Sequence, residues 1–466
     1  MRWFNEKSEP DAVRRYTEEV CSQIRYQRAR PYIERELADH IEDRKRDLLR
    51  EGACEAEALN KAVSEMGDAV IVGQELDRIH RPRPEWSIII TTAVLIFFGA
   101  VIQYYLSVKG AEGEWTARTA FHDYLIALPA GIAVLLAIYF ADYTVLGKYP
   151  KRIYAGILLI WAAYCLLNGS DLINGYSLPA YHGIYFAMLL LPAYGAVLYS
   201  YRNGGYSGIL KCGGAAFLTL LLFNGAQRAF VPVFFFAAGG LILITATIAK
   251  NWFKVERRKA FLLVYAPTLL CAIGLFLFKL WRYGDQKDIF LTRIKSIFLS
   301  SPDTPQVYLS FIVKGLIQNA RFIGQGETGP MISLGTYGLE RALPVWWGDF
   351  SLTYLIYQWG LVVGVLLVAL FLFLMLKMIR AVMRQKNALG FIISLSAVTA
   401  IGMQCALFFS ANLGICQLVT LPLPLVTTGQ TCFIVDMALI GLLLSAYRNV
   451  DIVRNIEAPH PKFDSQ

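Results

Sequence analysis

From Trp86 onward the chain returns repeatedly to apolar runs of about 20 residues, each long enough to cross the ~30 Å hydrocarbon core of a bilayer as an α-helix. They lie near 86–108, 121–146, 153–168, 180–200, 207–224, 229–249, 259–280, 351–378, 390–414 and 420–446. Inside a bilayer every backbone amide must be satisfied within the protein, so runs of this length predict helices. The expected architecture is all-α: a polytopic membrane protein of about ten transmembrane helices.

The 466 residues are 56% hydrophobic, and their charges are unevenly shared. The first 85 residues hold 16 Lys+Arg and 19 Asp+Glu, net −3, which leaves 28 and 16, net +12, for the rest. The excess positive charge therefore belongs to the membrane part. Its natural partners are anionic membrane lipids, and no nucleic acid is expected.

Basic residues give the bundle a direction. Lys148, Lys151 and Arg152 follow the second span, and Lys254, Arg257, Arg258 and Lys259 follow the sixth. The short connections after the first, third and fifth spans are nearly bare of Lys and Arg. Basic connections stay in the cytoplasm, so both termini are expected there. An even number of spans gives the same answer. Met1–Pro10 has no apolar core, and no cleavable signal peptide is expected.

One connection is far longer than the others: residues 281–350, between spans 7 and 8 on the extracytoplasmic side. A loop of that length in a compact protein is usually functional. Its middle, 307–324, is apolar but carries Lys314 and Arg321, the pattern of an interfacial or re-entrant helix.

Ahead of the spans, residues 1–80 read as a small soluble helical bundle, joined by a linker (81–85) to the membrane domain (86–448) and followed by a tail (449–466). YTEEVCSQIRYQ has helical spacing. Pro31 opens a second helix whose Ile33, Leu37, Ile41 and Leu48 share one face. Gly52 ends it. Ala58, Ala62 and Met66 line a third helix, and Asp68 is positioned to cap a fourth. The stretch ELADHIED followed by EAEALNKAVSEMGD resembles the helical prefix domain found before permease-like membrane proteins of Gram-positive bacteria. His40, beside Asp39 and Glu42, reads as part of a solvated helix face. The eight cysteines form no CxxC pair and read as small packing residues, so no metal site is expected.

Three blocks in the membrane part resemble the SEDS family, that of FtsW, RodA and SpoVE. They are RIKSIFLSSPDTPQVYLSFIVKGLIQNARFIGQG (293–326), LPVWWGDFSLTYLIYQWGLVVGVLL (343–367) and GMQCALFFSANLGICQLVTLPLPLVTTGQTCFIVDMALIGLLL (402–444). Ten helices, both ends inside and a large outer loop before span 8 extend the resemblance across the membrane part. There are departures. The family's two glutamates after its Asp-Phe element fall on Tyr357 and Gln358, and its Ser-Tyr-Gly-Gly turn falls on Thr427, Thr428, Gly429 and Gln430.

The resemblance implies a peptidoglycan glycosyltransferase that polymerises lipid II on the outer face of the plasma membrane, in cell shape, division or sporulation. A sugar hydroxyl would attack the anomeric carbon of a second, undecaprenyl-linked sugar, and the pyrophosphate would leave. Such chemistry needs a positioned base and cations for the leaving group. The resemblance assigns the base to Asp349 and puts Arg293 and Lys295, with Arg341, in the substrate-binding loop. Pro422, Pro424, Thr427 and Gly429 are expected to form a broken entry to the last span, either lining a substrate cavity or simply kinking the helix. A class B penicillin-binding protein is the implied partner. No motif names a cofactor, and a divalent cation is left open. Asp436, inside the last span, is read first as an interhelix hydrogen-bonding group, with a proton or ion role as the alternative. Two other functions remain open: a non-catalytic scaffold or regulator of envelope synthesis, and a lipid-linked-sugar transporter or O-antigen-type polymerase.

Overall fold

The computed structural model describes residues 9–27, 29–79, 84–110, 115–168, 172–173, 176–227, 230–283, 305–327, 343–415 and 421–450. They divide into two compact units. The smaller gathers the residues up to Pro84 with 385–388 and 447–450. The larger holds 85–384 and 389–446.

The smaller unit is a four-helix cluster: α1 (Glu9–Gln23), α2 (Arg30–Arg50), α3 (Glu55–Glu65) and α4 (Ala69–Ile79). The expected face of α2 is the buried one: Ile33, Leu37, Ile41 and Leu48 meet Val20, Ile24, Ala58, Leu59 and Ala62 in one core. Each large aliphatic side chain there contributes ~1.5–3 kcal/mol relative to exposure. Asp68 caps α4, its Oδ1 accepting from the amides of Val70 (2.9 Å) and Ile71 (3.1 Å). The first helix stops at Gln23, short of Tyr26 and Gln27, because the Arg30 guanidinium takes the Ile24 carbonyl through Nε (3.0 Å) and Nη2 (2.8 Å). The freed Tyr26 hydroxyl donates to Asn449 Oδ1 at 3.0 Å.

The described residues of the larger unit are helical almost throughout. It runs α5 (Trp86–Gly110), α6 (Trp115–Phe140), α7 (Thr144–Lys148), α8 (Pro150–Asn168), α9 (Leu178–Ser200), α10 (Gly205–Gln227), α11 (Phe230–Ala249) and α12 (Arg257–Tyr283). After these come α13 (Pro305–Gln318), α14 (Ser351–Trp359), α15 (Leu361–Met383), α16 (Ala388–Asn412) and α17 (Gln430–Arg448). A two-residue antiparallel pairing, Leu172–Ile173 with Tyr176–Ser177, links α8 to α9. Among the described residues nine helices are long and apolar enough to cross a membrane. The remaining expected span falls in α12, whose 27 residues reach ~40 Å at 1.5 Å per residue. The chain is thus an all-α polytopic membrane protein. α9 and α16 are deeply enclosed, whereas Leu159, Leu166, Leu270 and Val365 turn apolar side chains outward, as a lipid-solvated surface requires.

Two elements differ from the expected spans. The eighth, expected over 351–378, is two helices broken at Gly360. This residue has φ +103°, and a Cβ there would lie 2.5 Å from the Phe322 carbonyl oxygen. The break exists because segment 321–326 pairs with the chain across it. Gly326 N donates to Tyr357 O (2.8 Å), Gly324 N to Trp359 O (3.0 Å), Leu361 N to Arg321 O (3.0 Å) and Val362 N to Phe322 O (3.3 Å). The last span begins at Gln430, and residues 421–429 ahead of it are irregular.

Candidate active site

Asp349 lies in a tight turn, 343–350, leading into α14. Leu343, Trp346 and Phe350 sink into the protein, and Trp346 packs on Tyr354 with ring centroids 4.6 Å apart. The Val345 carbonyl accepts from the amides of Gly348 (2.9 Å) and Phe350 (3.3 Å). The turn bends through Val345 at φ +47°, a conformation costly for a β-branched residue, on the order of 1–3 kcal/mol. Asp349 itself is half-buried.

The turn is held from another helix. Asn412, fully buried at the end of α16, donates from Nδ2 to the Asp349 carbonyl at 2.7 Å. Its Oδ1 accepts from the amide and hydroxyl of Thr353, both at 3.1 Å. The capping position of α14 is Phe350, which has no side-chain acceptor, so Asn412 supplies from α16 what an N-cap side chain normally supplies in place.

The expected irregular entry to the last span lies against this turn. A Cβ on Gly348 would stand 3.7 Å from Thr428 Oγ1. The entry is fixed by three helices. Gln404 of α16 donates to the Pro422 carbonyl (2.9 Å), and Gln103 of α5 to that of Val426 (3.1 Å). Tyr124 of α6 donates to that of Leu425 (2.7 Å). Gly99 allows the close approach, since a Cβ there would lie 2.7 Å from Leu425 O. Thr427 turns its hydroxyl to the Leu423 carbonyl (3.1 Å). Pro424 is buried and Pro422 partly so. Lys314 of α13 approaches the same end of α16, its Cγ 2.6 Å from where a Cβ of Gly414 would be.

The structure therefore sets the turn that carries Asp349 against segment 421–429, which holds Pro422, Pro424 and Thr427, with Asn412, Gln404, Gln103 and Tyr124 as restraints and Lys314 at the end of α16. The added amides were signalled in the sequence only as polar residues inside apolar runs, which are rare and usually face the bundle interior. Arg293, Lys295 and Arg341 lie outside the described residues. Among the described residues no group of three or more His, Cys, Asp or Glu is placed to hold a metal ion.

This carboxylate-bearing turn, pinned by a buried amide and backed by a broken helix entry, belongs to the part of the chain that known proteins share. Residues 315–451 match the FtsW/RodA/SpoVE family model, described as cell cycle protein. No curated protein matches the chain by sequence. Among solved structures, one described as "Structural coordination of polymerization and crosslinking by a peptidoglycan synthase complex" superposes with a TM-score of 0.55. It is 17% identical, covering 78% of this chain and 98% of the other. The rod shape determining protein RodA of Thermus thermophilus also matches. Its aspartate-to-alanine variant gives 16% identity, coverage of 79% and 98%, and a TM-score of 0.49. The unsubstituted form gives 15%, 79% and 97%, and 0.48. Over residues 315–451, the last part of its membrane domain, this chain is thus similar to the FtsW/RodA/SpoVE, or SEDS, family.

Proposed function

We propose that the chain is a SEDS-type peptidoglycan glycosyltransferase that polymerises lipid II on the outer face of the plasma membrane. The observation that carries this reading is the Asn412 clamp on the Asp349 carbonyl, which fixes the backbone of a half-buried aspartate beside the irregular segment 421–429. A base that must accept a proton from a sugar hydroxyl gains from a fixed position. Asp349 takes that proton as the hydroxyl attacks the anomeric carbon. Arg293, Lys295 and Arg341 offset the charge of the departing pyrophosphate, with Lys314 as a further cation at the same end of α16. Segment 421–429 lines the path of the substrate. Irregular backbone at a helix entry is tolerated where it faces a cavity or packed protein.

The wider assignments rest on the same family resemblance. Residues 1–80 act as a cytoplasmic prefix domain and both termini lie in the cytoplasm, which the basic connections support, and the likeness of the prefix stretch to that of permease-like proteins supports a Gram-positive source. A class B penicillin-binding protein crosslinks the product. The similar fold comes from a peptidoglycan synthase complex described as coordinating polymerization with crosslinking, which supports a partner of this kind.

A second reading, a non-catalytic scaffold of envelope synthesis, is favoured by one observation. Tyr357, in the place of a family glutamate, is buried with its carbonyl held by Gly326. The test is purified full-length protein incubated with labelled lipid II. Glycan polymer supports the enzyme. Absence of polymer, with and without a class B penicillin-binding protein, supports the scaffold.

A further inference from the structure

Around the entry to α17, three buried oxygen acceptors have no hydrogen-bond donor among the described residues: Asp436 Oδ1, Gln404 Oε1 and Gln103 Oε1. Asp436 and Gln103 are 0% exposed and Gln404 is 1% exposed. The other half of each group is occupied. Gln404 Nε2 lies 2.9 Å from Pro422 O, 3.0 Å from Cys432 Sγ and 3.5 Å from Asp436 Oδ2. The Cys432 thiol lies 3.6 Å from the same Oδ2, and the Leu425 backbone amide faces the carboxyl group. Reversing the Gln404 amide would not help, because its oxygen would then oppose the Pro422 carbonyl.

Among the described residues, the groups that face Asp436 from neighbouring elements supply no positive charge. They are the thiols of Cys432 on α17 and Cys405 on α16. Beyond them lie Asp349, across from Cys432, and Tyr124 of α6, whose hydroxyl is committed to Leu425 O and Ile96 O. Among the described residues no Lys or Arg forms an ion pair with Asp436. An ionised carboxylate here would be a charge out of water with no counter-ion, in a cluster already short of donors. One proton on Oδ1 removes the charge and converts an unmatched acceptor into a donor.

We infer that Asp436 is a proton-binding site of the membrane domain, carrying its proton while segment 421–429 is seated against α16. The proton makes the seat. The neutral carboxyl stays dry beside Gln404, and Gln404 holds Pro422. Loss of the proton to water leaves a buried anion that must draw water or move, which unseats the segment lying beside Gly348 and Asp349. This inference rests on the buried acceptors and stands apart from the glycosyltransferase reading.

The test uses the purified full-length protein in lipid nanodiscs, with aspartate carbon-13-labelled, and infrared spectroscopy at neutral pH. Solvated aspartates are ionised there, so a protonated-carboxyl C=O band that shifts in heavy water reports a buried acid. The expected result is such a band in the wild type, unchanged by sodium, retained in Asp349→Asn and lost in Asp436→Asn. Thermal stability supplies a second reading. The wild type should lose stability as pH rises, and Asp436→Asn, which is neutral at every pH, should not lose it in parallel. Absence of the band from the wild type overturns the inference, whether or not any variant folds. So does a band that sodium removes, which would assign the acceptors to a metal cation.

Discussion

Asn412 Nδ2 reaches the Asp349 carbonyl at 2.7 Å while Oδ1 of the same amide receives the Thr353 amide at 3.1 Å, so one buried side chain from α16 sets both the Asp349 turn and the start of α14. Replacing Asn412 by Ala strands the Thr353 amide and the Asp349 carbonyl without their partner. Each buried group left unpaired costs roughly 1–3 kcal/mol. Asn412→Ala should therefore lower the thermal midpoint of the purified protein. Asn412→Asp, which keeps the acceptor but sets a buried carboxylate against the Asp349 carbonyl, should lower it as well. Equal midpoints for all three proteins would mean that the clamp contributes nothing.

Gly360 divides the expected eighth span. With φ +103° and the Phe322 carbonyl 2.5 Å from any Cβ, it admits no side chain without displacing segment 321–326. Gly360→Ala should destabilise the protein by more than the ~0.4–1 kcal/mol by which the same exchange stabilises a fold at a position whose backbone accepts alanine. Limited proteolysis is expected to show faster cleavage near 321–326 than in the wild type. Unchanged stability and cleavage would contradict the pairing.

In the smaller unit Arg44 Nε lies 2.6 Å from Glu65 Oε2, and this hydrogen bond, with the attraction between the charges, holds the Glu65 carboxyl below the usual carboxylate range. The sign follows from linkage. A depressed folded-state value adds stability that is present above the ordinary glutamate range and is lost as pH falls through the lowered value. The pair is exposed, so the effect on stability is small. In an NMR titration, Glu65 should protonate at lower pH than a free glutamate, and Arg44→Gln should return it to the ordinary range.

Much of this fold was legible in the sequence, because a bilayer leaves the backbone few choices. The runs at 86–108 and 390–414 become α5 and α16 within a few residues. The face of α2 and the Asp68 cap were equally readable, being set by helical spacing and by a side chain two and three residues from the amides it caps. The Gly360 break was not readable. The apolar pattern runs straight through LIYQWGLVVG, and the break is imposed by strand-like pairing with a segment more than 30 residues earlier. The irregular entry to α17 was announced by Pro422 and Pro424, but its restraints were not. Tyr124 meets Leu425 across 301 residues of sequence, and only tertiary packing makes them neighbours. Asp349 came from the family resemblance. Asn412, which positions it, is in the sequence only one of several polar residues in the apolar run 390–414.

The central claim is that Asp349 acts as the base in polymerising lipid II, and the most direct measurement is polymer formed from labelled lipid II by purified wild type and by Asp349→Ala side by side. The account predicts glycan strands from the wild type and a fall of at least about 100-fold in the variant, the contribution typical of a positioned base, with its thermal midpoint close to that of the wild type because Asn412 holds the backbone of residue 349 and not its side chain. Equal polymerisation by the two proteins would contradict it.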